Sequence, residues 1–218
     1  MNAKKSAWWA VLGLAVAAAG AAALAIPLRA QDASREKPAR EPALGFLGIA
    51  GGKATTLSFL KGLEGGEAGK EPGGRRLTLF LPDLDQLYLY GNKDGVVAFT
   101  KSLPEGSVVR VLVRDAERIK NYGDRASTLT FLEALSSRRG VLELWIPDLP
   151  GLARVGQNAG VLRFVEALPR NSAVHLFTNA REISLHGDTA GLQSFLAALK
   201  CRVEVRLDDP LLDVYMGK

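Results

Sequence analysis

Four short polar side chains recur at one position along this sequence and are its strongest candidates for chemistry. They are Asp83, Asp115, Asp148 and Asn179, and each closely follows a short apolar run. If the runs are neighbouring strands of a parallel sheet, these side chains meet at its carboxyl edge, where such sheets bind ligands. Clustered carboxylates there would raise one another's pKa or attract a cation. The alternative is that each side chain accepts hydrogen bonds from backbone N–H groups of its own loop.

Other residues that could do chemistry are few. Residues 48–55 contain the glycines of a phosphate-binding loop, but Leu47 and Ala54 stand where that pattern needs Gly and Ser or Thr. His175 and His186 have no Ser or Cys nucleophile at a recognisable turn, so no catalytic triad is predicted. One cysteine and two histidines are too few for a structural zinc site, which takes about four ligands. We therefore predict no catalytic residue, no metal and no cofactor.

The four polar side chains, which we call the polar column, belong to a repeat. The same spacing is kept through most of the chain. Four glycines lie 32, 33 and 31 residues apart, and a phenylalanine follows each of them by eight residues. The glycines are Gly91, Gly123, Gly156 and Gly187, and the phenylalanines are Phe99, Phe131, Phe164 and Phe195. A degenerate first copy keeps Gly51 and Phe59 but has Ala43 at the Asp position. Five of the eight phenylalanines are therefore predicted to share one structural position.

Each repeat predicts a strand, an irregular connection and an amphipathic helix. The strands are the apolar runs at 77–81, 109–113, 142–146 and 174–178, and the helices show apolar residues at intervals of three and four. Strands joined in this way pair in parallel through right-handed crossovers. The predicted class is α/β, with tandem strand-loop-helix repeats forming a mostly parallel sheet, either a one-sided repeat array or a compact α/β sheet. The predicted repeat domain is 43–218, with units near 43–63, 77–103, 108–135, 141–168 and 173–199, and a final strand at 202–207.

A second column follows from the alternation of side chains along each strand. Large apolar residues occupy the fourth strand position, and they are Phe80, Leu112, Trp145 and Phe177. If every helix packs on the opposite face of the sheet, these four residues form an exposed apolar stripe suited to binding a partner. If that face is covered, the same residues are core.

Two known families share parts of this pattern. Residues 174–199 (VHLFTNAREISLHGDTAGLQSFLAAL) resemble a ribonuclease-inhibitor-type leucine-rich repeat, with its strand, Asn, Gly and Leu-rich helix, although the connection at 179–187 is about two residues longer. Residues 188–192 (DTAGL) also resemble the Asp-Ser-x-Gly-Leu helix start of STAS domains. No functional residue is carried over from either family.

The N-terminus has the composition of a membrane-crossing segment. Residues 6–28 carry no charge and, as a helix, are long enough to cross a hydrocarbon core of about 30 Å. Lys4 and Lys5 precede this segment and favour a cytoplasmic N-terminus, which places the body on the other side of the membrane. Residues 1–30 are either an uncleaved anchor or a signal peptide cleaved after Ala30. Residues 31–42 are polar and predict a linker.

Charge and cysteine content limit the classes of function that are open to this protein. The net charge of +5 comes largely from Lys4, Lys5 and Arg29, so the body is nearly neutral and no nucleic-acid partner is predicted. With Cys201 as the single cysteine, no intramolecular disulfide can form. The sequence favours a membrane-anchored, extracytoplasmic binding or scaffold module of a bacterial-type cell envelope, without catalytic activity, with another envelope protein as partner. The alternative is a metal- or ligand-binding hydrolase that uses the Asp-rich edge.

Overall fold

A computed structural model describes residues 42–64 and 76–209. The predicted membrane segment, nearly all of the predicted linker and most of the glycine-rich insertion at 64–76 lie outside the described residues. Two described helices, α1 (Ala43–Ala50) and α2 (Ala54–Glu64), have the length and apolarity for a bilayer crossing only as a pair, which is bent by 106°. No single helix among the described residues meets both requirements.

Five strands alternate with pairs of short helices along the described chain. The strands are β1 (Thr78–Leu81), β2 (Val108–Leu112), β3 (Val141–Ile146), β4 (Ala173–Thr178) and β5 (Arg202–Leu207). The helices that follow α2 are α3 (Asp85–Tyr90), α4 (Asp94–Lys101), α5 (Ile119–Tyr122), α6 (Ala126–Ser137), α7 (Leu149–Val155), α8 (Ala159–Glu166), α9 (Ala180–His186) and α10 (Ala190–Ala198). A 3-10 turn, Ala116–Arg118, leads into α5. Each predicted connection of eight residues thus contains a short helix of its own.

The strands form one sheet in the order in which they occur along the chain, and every neighbouring pair is parallel. The α/β class and the parallel sheet are therefore confirmed. The first four strands begin and end within one residue of the predicted apolar runs. This agreement has a simple cause, because continuous apolar runs bounded by turn residues are typical of buried strands.

The main core lies between the helices and one face of the sheet. Alternate strand residues, such as Val109, Val111 and Leu144, share one buried cluster with the buried leucines and phenylalanines of the helices. All four phenylalanines of the regular repeats belong to this cluster and are at most 7% exposed. The helices of the described residues therefore pack on one face of the sheet.

The first, degenerate repeat departs from this pattern. Its phenylalanine, Phe59, was predicted to share the buried position of the others, but 52% of it is exposed. The neighbouring Leu60 is buried instead. The described part of this unit contributes two helices and no strand, so α2 has no sheet of its own unit beneath it. The shared phenylalanine position therefore holds for four copies rather than five.

The repeating glycines are explained by the distance between helices of neighbouring units. Gly123 ends α5 with ordinary helical backbone angles, so no left-handed conformation requires it. A Cβ atom at Gly123 would lie 1.7 Å from the carbonyl oxygen of Gly160, in the next unit. Gly156 likewise packs against the backbone of Gly191. Glycine is needed here because two helix backbones approach each other in direct contact.

Candidate functional site

The polar side chains that follow the strands act as caps for the next helix or turn. Each accepts a hydrogen bond from a backbone N–H two or three residues further on. The pairs are Asp83 with Gln86 (3.0 Å), Asp115 with Glu117 (3.0 Å), Asp148 with Gly151 (2.9 Å) and Asn179 with Glu182 (2.9 Å). An amide oxygen accepts such a bond as well as a carboxylate does, which is why Asn serves in the last unit.

Asp148 makes a second contact that joins two units. Its other carboxylate oxygen accepts a hydrogen bond of 2.9 Å from the backbone N–H of Ala116, in the preceding unit. This geometry corresponds to the capping alternative for the polar column. In the described ranges, no group of three or more His, Cys, Asp or Glu side chains is placed to hold a metal ion.

The apolar column forms a second cluster on the sheet face away from the helices. Leu112, Trp145 and Phe177 are 0%, 5% and 2% exposed, and Phe80 packs against them. The centres of the Trp145 and Phe177 rings lie 5.3 Å apart. The alternation of side chains therefore does bring these residues together, as predicted. Three of them are buried, and binding by this cluster stays a prediction.

Charged side chains surround the aromatic cluster. Arg110 and Glu143 are neighbours across β2 and β3, and two nitrogens of Arg110 lie 2.8 and 2.7 Å from the same Glu143 oxygen. The Arg110 guanidinium also stacks on Trp145, with 4.5 Å between its central carbon and the ring centre. Arg206 lies over Phe177 in the same way, at 5.7 Å. The alternation of side chains along β2 and β3 explains why Arg110 and Glu143 lie on this face, whereas the part contributed by β5 was not predicted.

His175 lies in the middle of this charged layer. Its side chain is 8% exposed, and Nδ1 lies 2.9 Å from an oxygen of Glu204. Burial is the largest influence and lowers the pKa of His175, since a buried imidazolium loses its hydration. The Glu143 carboxylate opposes this shift, while Arg206, Arg110 and Arg202 add to it. Burial and the three guanidinium groups outweigh the nearby carboxylates, so the folded protein holds this histidine neutral at pH 7.

The two other reactive residues named by the sequence have ordinary structural surroundings. His186 ends α9, and its Nε2 lies 3.5 Å from Glu182 one turn earlier. The half-buried thiol of Cys201 has a raised pKa because burial disfavours the thiolate. Gly51, in the segment compared with a phosphate-binding loop, packs against the backbone of Gly95. None of these residues forms part of a common site in the described structure.

The last strand presents a surface that sequence analysis overlooked. In β5, Val203, Val205 and Leu207 point to the helix-bearing face, yet they are 37%, 54% and 56% exposed. Ile183 and Leu185 of the neighbouring helix α9 are also exposed, at 39% and 57%. We call these five residues the β5 end. The described residues place no helix after β5, and the strand is therefore an edge of the sheet with an uncovered apolar face.

The sequence distinguishes β5 from the other strands but does not predict that its apolar face is exposed. The run RVEVRL at 202–207 alternates strictly between charged and apolar residues, whereas the earlier strands are nearly continuous apolar runs. Strict alternation is typical of a strand whose charged face is solvated and whose apolar face is buried, so it does not predict the exposed valines. In the structure, Gly187, the last repeating glycine, differs from the others, because the three atoms nearest to a Cβ built on it all belong to Ile183 of its own helix. The close contact to a following unit, seen for Gly123, is not formed there.

Comparisons with protein family models, with curated proteins and with solved structures found no match to this chain.

Proposed function

We propose that this protein is a membrane-anchored, extracytoplasmic binding or scaffold module of a bacterial-type cell envelope, without catalytic activity. Residues 6–28 would hold it in the membrane, and the repeat domain would contact a protein partner in the envelope. The apolar N-terminal segment with its preceding lysines supports the location. The exposed apolar residues of the β5 end support the binding role.

The β5 end carries this proposal because its apolar residues lie on the sheet face that helices cover in the neighbouring strands. In β2 to β4, the apolar side chains on the same face are buried beneath helices, as with Val174 and Leu176 of β4 at 0% and 3% exposure. Val205 and Leu207 continue that layer with more than half of their surface exposed. Repeat arrays normally close their ends with polar surfaces. An open apolar end of this kind is typical of a contact surface for another protein.

The hydrolase alternative has less support. It depends on carboxylates that are free to bind a cation or to transfer protons. Asp83, Asp115 and Asp148 instead accept hydrogen bonds from helix N-terminal N–H groups. No observation within the described ranges favours this second function.

Photo-crosslinking in intact cells tests the binding role. A photoreactive amino acid at position 207 of the full chain should give a covalent adduct with a partner protein. The matched control is position 129, since Leu129 is also exposed, at 37%, but lies on the outer surface of α6. The adduct should disappear when Val205→Lys is added, because a charge in this apolar surface opposes its burial. No adduct at 207, or equal adducts at 207 and 129, would contradict the proposal.

A further inference from the structure

We propose that the partner at the β5 end is a second copy of this chain, joined through antiparallel pairing of β5 with β5. This inference rests on the proposed binding role of the β5 end and names its partner. The two copies would be related by a two-fold axis normal to the sheet, which keeps both helix layers on the same side. In such a contact each copy contributes the same surface, so the assembly is a closed dimer.

The backbone of β5 has the groups that this pairing requires. The N–H groups of Arg202 and Asp208 donate to Ser172 and Thr178 of the preceding strand segment. Because backbone groups alternate in direction along a strand, the N–H and C=O groups of Val203, Val205 and Leu207 point to the outer edge. Among the described residues no strand pairs with this outer edge, and an unpaired edge is a template for another strand. A second β5 would satisfy these groups with hydrogen bonds of the ordinary antiparallel type.

The side chains of β5 are self-complementary in one register. With Val205 facing Val205 of the second copy, Glu204 faces Arg206 of that copy and Val203 faces Leu207. Opposite charges would then meet on one face, and the valines and leucines of both copies would form one apolar layer on the other. Facing pairs of these kinds stabilise a sheet.

Neighbouring registers are worse. If Glu204 faces Glu204 of the second copy, two carboxylates oppose each other. Arg202 then opposes Arg206 of that copy, and both like-charged pairs destabilise the sheet. If Val203 faces Val203 of the second copy, only the first half of β5 is paired, and Arg206 opposes Lys200 of that copy. Charge complementarity therefore selects the register centred on Val205.

The other end of the repeat array offers a competing arrangement. Phe46 and Ile49 of α1 are exposed, at 46% and 67%, and could cover the β5 end of another copy. A contact between two different ends does not close, and it produces open chains of many copies. The α1 end presents helices rather than a strand edge, and α1 itself has no charged residue that could pair with Glu204 or Arg206. We therefore infer the closed dimer.

Disulfide trapping in the membrane tests the register directly. In the full chain with Cys201→Ser, the variant Val205→Cys places two thiols across the two-fold axis, with Cα atoms about 5.5 Å apart, which suits a disulfide. Mild oxidation should convert it to a covalent dimer on a non-reducing gel. The matched control Val203→Cys should give at least about tenfold less dimer, since its thiols lie too far apart. Differently tagged chains carrying Val203→Cys and Leu207→Cys should cross-link to each other.

Light scattering of the detergent-solubilised full chain gives a second measurement. The wild type should be dimeric, Val205→Lys monomeric, and Ile49→Lys still dimeric. A monomeric wild type, a dimer trapped through Val203→Cys alone, or loss of association in Ile49→Lys would each overturn the proposal. If position 207 nevertheless cross-links to a different protein in cells, the closed dimer is wrong while the proposed binding role stands. If neither a dimer nor an adduct forms, both are wrong.

Discussion

At the scale of single residues, the same side-chain types serve different purposes on the two faces and the edge of the sheet. Asp148 and its equivalents are used locally, because they accept hydrogen bonds that helix N-terminal N–H groups would otherwise lack. Glu143 and Glu204 lie instead beside arginines and His175 in a layer of charged and aromatic side chains. The position of a carboxylate within the repeat unit therefore decides its role.

Stability should fall below neutral pH because of His175. The folded state lowers the pKa of this histidine from its ordinary value of 6.5, so the unfolded chain binds more protons as the pH falls through that value. The folded protein is therefore favoured above about pH 6.5 and loses stability between that pH and the lowered pKa of the folded state. Thermal unfolding midpoints measured from pH 7.5 to 5 should show this decline.

The variant His175→Gln should show a smaller decline over the same range, since it removes the titrating group. His186→Gln, in the same unit, is the matched control and should keep the wild-type profile. An unchanged profile in His175→Gln would contradict the role assigned to this residue.

At the scale of elements, the repeat is held together by glycines that let helix backbones touch. Gly123 and Gly160 lie in neighbouring units, and each would place a Cβ atom within 2.1 Å of a carbonyl oxygen of the other unit. Neither carbonyl can move without separating the helices. Contacts of this kind explain the repeating glycines of the regular units except the last, whose Gly187 lies nearest to Ile183 of its own helix.

Gly123→Ala should destabilise the protein by about 1–3 kcal/mol or more, because the added methyl group overlaps the Gly160 carbonyl. Gly62→Ala is the matched control, since a Cβ there meets nothing within 4 Å and the residue lies inside α2. That substitution should stabilise the helix by about 0.5–1 kcal/mol. Thermal unfolding of the two variants measures both effects. Equal effects of the two substitutions would refute the contact.

At the scale of the whole molecule, the described residues cover one end of the sheet with helices and place no helix at the other end. Unit one contributes α1 and α2 over the β1 side, whereas β5 has no described helix after it. In the function that we propose, a protein partner in the cell envelope covers the exposed side chains of β5. The partner that we infer is a second copy of this chain.

The membrane location makes a separate prediction for the full chain. The protein should stay in the membrane fraction after an alkaline carbonate wash, and protease added to intact spheroplasts should digest the repeat domain. Replacing Lys4 and Lys5 with glutamate should weaken this orientation, because positive charge favours the cytoplasmic side. The mass of the mature chain separates an anchor from a signal peptide cleaved after Ala30. A repeat domain protected in intact spheroplasts would show that the orientation is wrong.

The sequence by itself determined the repeat, the class of fold and the parallel sheet. These follow from local patterns, since strand runs, helix periodicity and cap residues act over a few neighbouring positions. It also named both roles open to the polar column, but the choice of capping depended on distances such as the 2.9 Å from Asp148 to Gly151. The tertiary structure alone decided that Trp145 is buried while Val205 is exposed. That difference arises because exposure depends on which elements lie above a strand. The spacing of residues along the chain does not show which elements those are.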